Sequence, residues 1–203
     1  MKPPIHQITR QALVCARLAL ALAALSGSAN ATDTCWTGEH AQFFNAIKYC
    51  VSSVLPPQGD TTFGPDHLAR WDGDATKAWC EGAPDFGLGE TIKIEVDNGP
   101  AFRRLLVSNG YAKSSKTYTD YARVKTVAIT GDNGLAATLD FPDKSEMVPI
   151  DLPKMPQKWI QLKIVAVYPG DSRPSTCLAF LTPDFEHEEE LLLEEQGLLK
   201  KSQ

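Results

Sequence analysis

The chain has 203 residues and a formal net charge of −5, from 20 basic and 25 acidic side chains. An acidic balance presents no general face to a phosphate backbone, so nucleic-acid binding is disfavoured. The length suits one domain with a sizeable core, and no stretch approaches the ~20 apolar residues that cross a bilayer.

Residues 1–31 read as a secretory signal. Lys2, Arg10 and Arg17 make a basic start with no acidic residue, Leu18 to Leu25 form an apolar run, and Ser28-Ala29-Asn30-Ala31 supplies a small-x-small cleavage pattern. A membrane anchor is the competing reading. Cleavage after Ala31 would remove three basic residues and no acidic one, taking the formal charge to −8. The expected setting is therefore secreted or periplasmic. Cys35, Cys50, Cys80 and Cys177 would then remain, and an even count in an oxidising compartment reads as two disulfides rather than free thiols. Zinc is not expected, because no pair has C-x-x-C spacing with a histidine close by.

Along the mature chain, Phe43, Phe44 and Ile47 stand at helical spacing and predict a short amphipathic helix near residues 40–49. A Cys35–Cys50 bridge would clip the new N-terminus to it, stabilising by roughly 3 kcal/mol in the chain-entropy model. Pro56-Pro57 and Gly59 then interrupt regular structure. Thr91 to Val96 alternates polar and apolar residues, the pattern of a strand with one wet face. Leu105 to Val107 and Val124 to Ile129 are further strand candidates. Gly131-Asp132-Asn133-Gly134 is a turn joining the latter to Ala136–Leu139 as a hairpin. Val148 to Leu152, Trp159 to Val167 and Cys177 to Leu181 complete an all-β set, a sandwich or a barrel. From Asp184 to Gln203 the chain carries seven acidic residues, two lysines and five leucines. That tail reads as a solvated extension, with a helix docked on a partner or on the sandwich as the alternative.

No group of residues commits to catalysis. His40, His67 and His187 are widely separated. Gly87-Leu88-Gly89 lacks the third glycine of a dinucleotide site, and Gly170-Asp171-Ser172 lacks the second glycine of a nucleophile elbow. A hydrolase assembled from distant loops is the residual enzymatic alternative. Asp72-Gly73-Asp74 places two carboxylates on a turn, which either wraps a hard cation such as calcium or caps its own backbone. Trp79 beside Cys80 suggests a buried indole packed against a bridge.

These last residues, in the stretch FGPDHLARWDGDATKAWCEG from Phe63 to Gly82, resemble the discoidin-like, galactose-binding-like jelly-roll superfamily. More narrowly the chain resembles the bacterial NADase-type glycan-binding domains. The matching pieces run in order: Ser52 to Pro57, Phe63 to Leu68, Asp72-Gly73-Asp74 through Gly82, Gly87 to Val96, Asn109 to Lys113, Tyr118, Arg123 to Lys125, Tyr168-Pro169-Gly170 and Thr176-Cys177. They span roughly residues 51–182. The resemblance implies a β-sandwich of about eight antiparallel strands over 51–183, a first strand at Cys50 to Val54, and a Cys80–Cys177 disulfide. By that implication Cys35–Cys50 is a local addition within 32–50, and 184–203 is a separate tail. Calcium-binding relatives carry a glutamate three positions after the equivalent of Cys177, where this chain has Phe180. A calcium site on Asp72 and Asp74 would lack that ligand. The resemblance names no catalytic residue in this region.

Ligand recognition in jelly rolls sits on the loops at one end. Sugar binding needs a flat apolar face together with amide, cationic or carboxylate partners for the hydroxyls. Tyr111, Tyr118 or Tyr121 with Asn109, Lys113 or Arg123 could supply both. Structural roles compete: Asn109-Gly110 as a tight turn, Tyr118 in the core, Arg123 paired with Glu81. The expected function is a non-catalytic module for glycans or another cell-envelope ligand. The alternative is an interaction subunit that docks a protein through its tail.

Overall fold

The computed structural model describes residues 33–69, 74, 76–153 and 155–199, without the side chains of His40 and Ala41. The expected signal over residues 1–31 and its expected cleavage point lie outside these residues. Among them are ten strands: β1 (Thr34–Ala41), β2 (Phe44–Val51), β3 (Trp79–Cys80), β4 (Thr91–Asp97), β5 (Arg104–Asn109), β6 (Ala122–Gly131), β7 (Ala136–Asp140), β8 (Val148–Asp151), β9 (Trp159–Tyr168) and β10 (Thr176–Pro183). Helices α1 (Ser115–Asp120) and α2 (Phe185–Glu195) complete the set.

Hydrogen bonding orders the strands β1-β2-β4-β9-β6-β10-β5-β8, with β3 on β10 and β7 on β6. The pairs are antiparallel except for a two-residue parallel contact of Thr176 and Cys177 with Ala122 and Arg123. The path doubles back on itself as a jelly-roll sandwich. Tyr49 on β2 donates its hydroxyl to Thr182 on β10 at 3.1 Å, although β4, β9 and β6 lie between those strands along the path. Ile47, Ile94 and Ile160 from one layer and Leu105, Val107 and Leu181 from the other join in one core. Alternation explains this: Ile92, Ile94 and Val96 are buried while Thr91, Lys93 and Glu95 are not. The strand β10 is buried along its whole length, so it shows an apolar run without alternation.

The helix expected near residues 40–49 is not formed; β1 and β2 make a hairpin there. Helical spacing of Phe43, Phe44 and Ile47 competes with a period-two set, Ile47, Tyr49 and Val51, whose members are fully buried. The second pattern wins because β2 is paired on both sides, with β1 and with β4. The hairpin thus extends the sandwich, with β1 as its edge strand.

The tail is not simply a solvated extension either. Asp184 caps α2 by accepting from the His187 N–H at 3.1 Å. Phe185 is buried and meets Phe43, Phe44 and Phe102 with centroids 6.0, 5.2 and 6.4 Å away. The buried Glu188 accepts from the backbone N–H of Arg103 at 2.8 Å and from its guanidinium at 3.0 Å. Leu192, Leu198 and Leu199 remain exposed. No helix among the described residues is long and apolar enough to cross a membrane.

Two disulfides join Cys35 to Cys50 across β1 and β2, and Cys80 to Cys177 across β3 and β10. Next to the second lies Glu81, fully buried. It accepts from the backbone N–H groups of Thr176 at 2.8 Å and Ala83 at 2.7 Å. Gly87 (φ +65°) is required beside it, since a Cβ there would stand 2.4 Å from the Glu81 side chain. Burial, working against those two hydrogen bonds, pushes the Glu81 carboxyl up to about 7. Between the ordinary carboxylate range and pH 7 the folded state keeps a proton that the unfolded chain has lost. Stability therefore falls as pH rises through this window and levels off above it. Urea unfolding should show a loss of about 1–3 kcal/mol between pH 5 and pH 8. Glu81→Gln should flatten that slope whatever its own offset, and an unchanged slope would contradict the assignment.

Candidate functional site

Between β5 and β6 the chain leaves the sandwich, forms α1 and returns. Asn109 ends β5 with its side chain pointing inward and is 1 % exposed. Its amide donates to the carbonyls of Val124 at 2.6 Å and Pro142 at 3.0 Å, and accepts from the Val124 N–H at 3.0 Å. Asn109 is therefore committed inside the fold and does not face a ligand. Gly110 follows at φ +77°; a Cβ there would lie 2.7 Å from Arg123 Cγ and 2.8 Å from the Tyr118 ring. Ser114 and Thr117 form a reciprocal capping box that starts α1. Lys116 and Asp120 pair one turn apart at 2.7 Å.

This excursion walls a cleft of about 360 Å³, in the size range of small-ligand sites. Its floor is aromatic. Phe63, Tyr111 and Tyr121 pack edge to face or tilted, with centroids 5.5 to 6.5 Å apart. The rim is polar: Gln58, Thr61, Lys113, Ser114, Thr117, Asp120 and Arg173. Tyr121 donates its hydroxyl to Gln58 Oε1 at 3.2 Å, and the Arg173 guanidinium lies 5.8 Å from the Tyr121 ring centroid. His67, through Nε2 at 3.1 Å from Thr62, braces the loop that carries Thr61 and Phe63.

Three of the six expected ligand residues, Tyr111, Lys113 and Tyr121, meet in this cleft. Tyr118 and Arg123 belong to an adjoining network instead. Arg123 grips both carboxylate oxygens of Asp143 at 2.7 and 3.1 Å, and Tyr118 donates to the same carboxylate at 2.8 Å. The Arg123 guanidinium also lies over the Tyr118 ring, 5.1 Å from its centroid. The guanidinium holds the Asp143 carboxyl below its usual range, and burial together with the Asp143 contact pushes the Tyr118 hydroxyl up. Arg123 thus pairs with Asp143 and not with Glu81. Its remaining N–H groups bind the carbonyls of Tyr118 and Tyr121, which fixes the path of α1 and hence one wall of the cleft.

A family model for the NAD glycohydrolase translocation F5/8 type C domain matches residues 43–182. The chain belongs to this family. No curated protein matches it. Among solved structures, the F5/8 type C domain is similar to the Clostridium perfringens module CpGH89CBM32-5 in complex with GalNAc-β-1,3-galactose, at 13 % identity and TM-score 0.46, over 66 % of this chain and 92 % of that one. It is similar to the family 32 module of C. perfringens NanJ in complex with galactose, at 10 % identity and TM-score 0.45, over 66 % and 90 %. A mycobacterial arabinofuranosyltransferase, AftD, is similar at 16 % identity and TM-score 0.48, over 73 % of this chain and 11 % of that one.

Of the calcium turn considered for this F5/8 type C domain, Asp72 lies outside the described residues. Asp74 accepts from the N–H of Thr76 at 3.0 Å and from its hydroxyl, which is the backbone-capping alternative. Among the described residues no three His, Cys, Asp or Glu side chains are grouped to hold a metal. Sequence reasoning missed Gln58, Thr61, Ser114, Thr117, Asp120, Arg173 and the cleft role of Phe63. Phe63 did stand in the quoted motif, and the Ser114-x-x-Thr117 spacing was a signal for the cap of α1.

Proposed function

We propose that this F5/8 type C domain is an exported, non-catalytic module that binds a glycan in the Phe63–Tyr111–Tyr121 cleft. The observation that carries the reading is the composition of that cleft: an aromatic floor ringed by an amide, hydroxyls and two cations. A pyranose offers a C–H face to such a floor and hydroxyls to such a rim. Gln58 is positioned by the Tyr121 hydroxyl, so part of the rim is pre-organised. Export is supported by the two disulfides, which persist in oxidising compartments, and by the basic, apolar and small-residue pattern of residues 1–31.

A glycan array should give a defined set of ligands. Gln58→Ala should weaken the best of them by about 2- to 10-fold, the worth of one hydrogen bond. Tyr121→Ala should weaken it by tenfold or more. A blank array from folded protein would overturn the reading. A second reading, docking of a protein partner on the tail, is favoured by the exposure of Leu192, Leu198 and Leu199. It predicts that array result, together with a defined complex abolished by serine at those three leucines.

A further inference from the structure

We infer that the glycan taken by this cleft is acidic: it carries a carboxylate or a sulfate ester that Arg173 and Lys113 read. The inference rests on the cleft being the binding site and adds the charge class of the ligand.

Two cations line the cleft without an ion-pair partner of their own among the described residues. Acidic residues outnumber basic ones in this chain, and among the described residues the other arginines all find carboxylates: Arg103 with Glu188, Arg104 with Asp151, Arg123 with Asp143. Arg173 and Lys113 both line the cleft, and among the described residues neither has a carboxylate within ion-pair distance. The cleft has one carboxylate of its own, Asp120; it pairs with Lys116 at 2.7 Å and feels Arg173 only from beyond ion-pair distance. Lys113 and Arg173 against Asp120 leave the cleft lining with a surplus of one positive charge on a protein of net charge −5, and Lys116 outside the lining takes up the Asp120 carboxylate.

Arg173 is also held in place. Its backbone N–H donates to the Asp120 carbonyl at 2.8 Å, fixing the turn to the end of α1. Its guanidinium rests near the Tyr121 ring. Stacking of this kind orients a planar fork whose N–H groups match two oxygens of a carboxylate or sulfate. A neutral sugar would leave that fork with hydroxyls alone.

Titration calorimetry with matched probes separates the possibilities: trigalacturonate against its methyl ester for the carboxylate, and 3′-sulfolactose against lactose for the sulfate. The acidic member of at least one pair should bind tenfold or more tightly than its neutral partner. That preference should shrink as salt rises, because exposed charges are screened. Arg173→Ala and Lys113→Ala should each bring the acidic probe down towards the neutral one at an unchanged thermal midpoint, while Arg173→Lys keeps part of the preference. Equal binding within both pairs overturns the inference and leaves the glycan reading standing. So does a preference that survives both alanine variants. No binding of the four probes by a protein with array ligands overturns it as well, and a blank array removes the cleft reading itself.

Discussion

Replacing Cys80 and Cys177 together by serine is expected to lower stability by about 4 kcal/mol and Tm by roughly 10 °C. The bridge closes 97 residues of separation, against 15 for Cys35–Cys50, and a longer closed loop restricts the unfolded chain more. The folded side adds to this. The strand β3 has only two residues, and its cysteine holds the preceding segment through Leu55 N–H to Cys80 C=O at 2.8 Å and Cys80 N–H to Phe63 C=O at 3.4 Å. Residues 58–63, which bring Gln58, Thr61 and Phe63 to the cleft, hang on that anchor. The C80S/C177S variant should therefore lose ligand affinity as well as stability. C35S/C50S, whose cysteines lie on the edge hairpin, should lose stability with affinity retained. Calorimetric unfolding and ligand titration of both variants decide this. Equal effects on affinity would show that β3 does not position the cleft.

Asn109→Ala is expected to cost about 3 kcal/mol, near the upper end for a single buried polar side chain. The Asn109 amide joins β5 to β6 and to the loop after β7 through three hydrogen bonds. Truncation leaves the Val124 N–H, on a fully buried residue, without a partner. Asn109→Asp should be worse still, since it turns a donor facing two carbonyls into an acceptor. Denaturant unfolding measures the loss. Ligand affinity of the folded fraction should stay within twofold of the native chain, which separates this structural role from direct recognition. A selective loss of affinity at full stability would return Asn109 to the ligand.

Why was Asn109 readable from sequence as a surface turn? Asn-Gly is a local signal, and what buries it arrives from Val124 and Pro142, 15 and 33 residues away. The same reasoning covers Arg123, whose partner Asp143 lies 20 residues on in an unremarkable loop. Strands β4 and β9 were legible because alternation is written within each of them. The hairpin of β1 and β2 was not, because Phe43, Phe44 and Ile47 satisfy a helical period as well as Ile47, Tyr49 and Val51 satisfy an extended one. Only pairing on both sides decides between them. In the cleft, Tyr111, Lys113 and Tyr121 were legible as one aromatic and polar stretch. Gln58 reaches them through the Cys80–Cys177 anchor and Arg173 through a turn fixed on Asp120, and neither juxtaposition has a local sequence trace.

The most direct test of the central claim is a crystal structure of the chain soaked with its best array glycan. A sugar ring is expected on the floor made by Phe63, Tyr111 and Tyr121, with hydroxyls on Gln58 and an acidic group on Arg173. A sugar seated instead against Tyr118 and Glu146, on the other side of the Arg123–Asp143 pair, would contradict it.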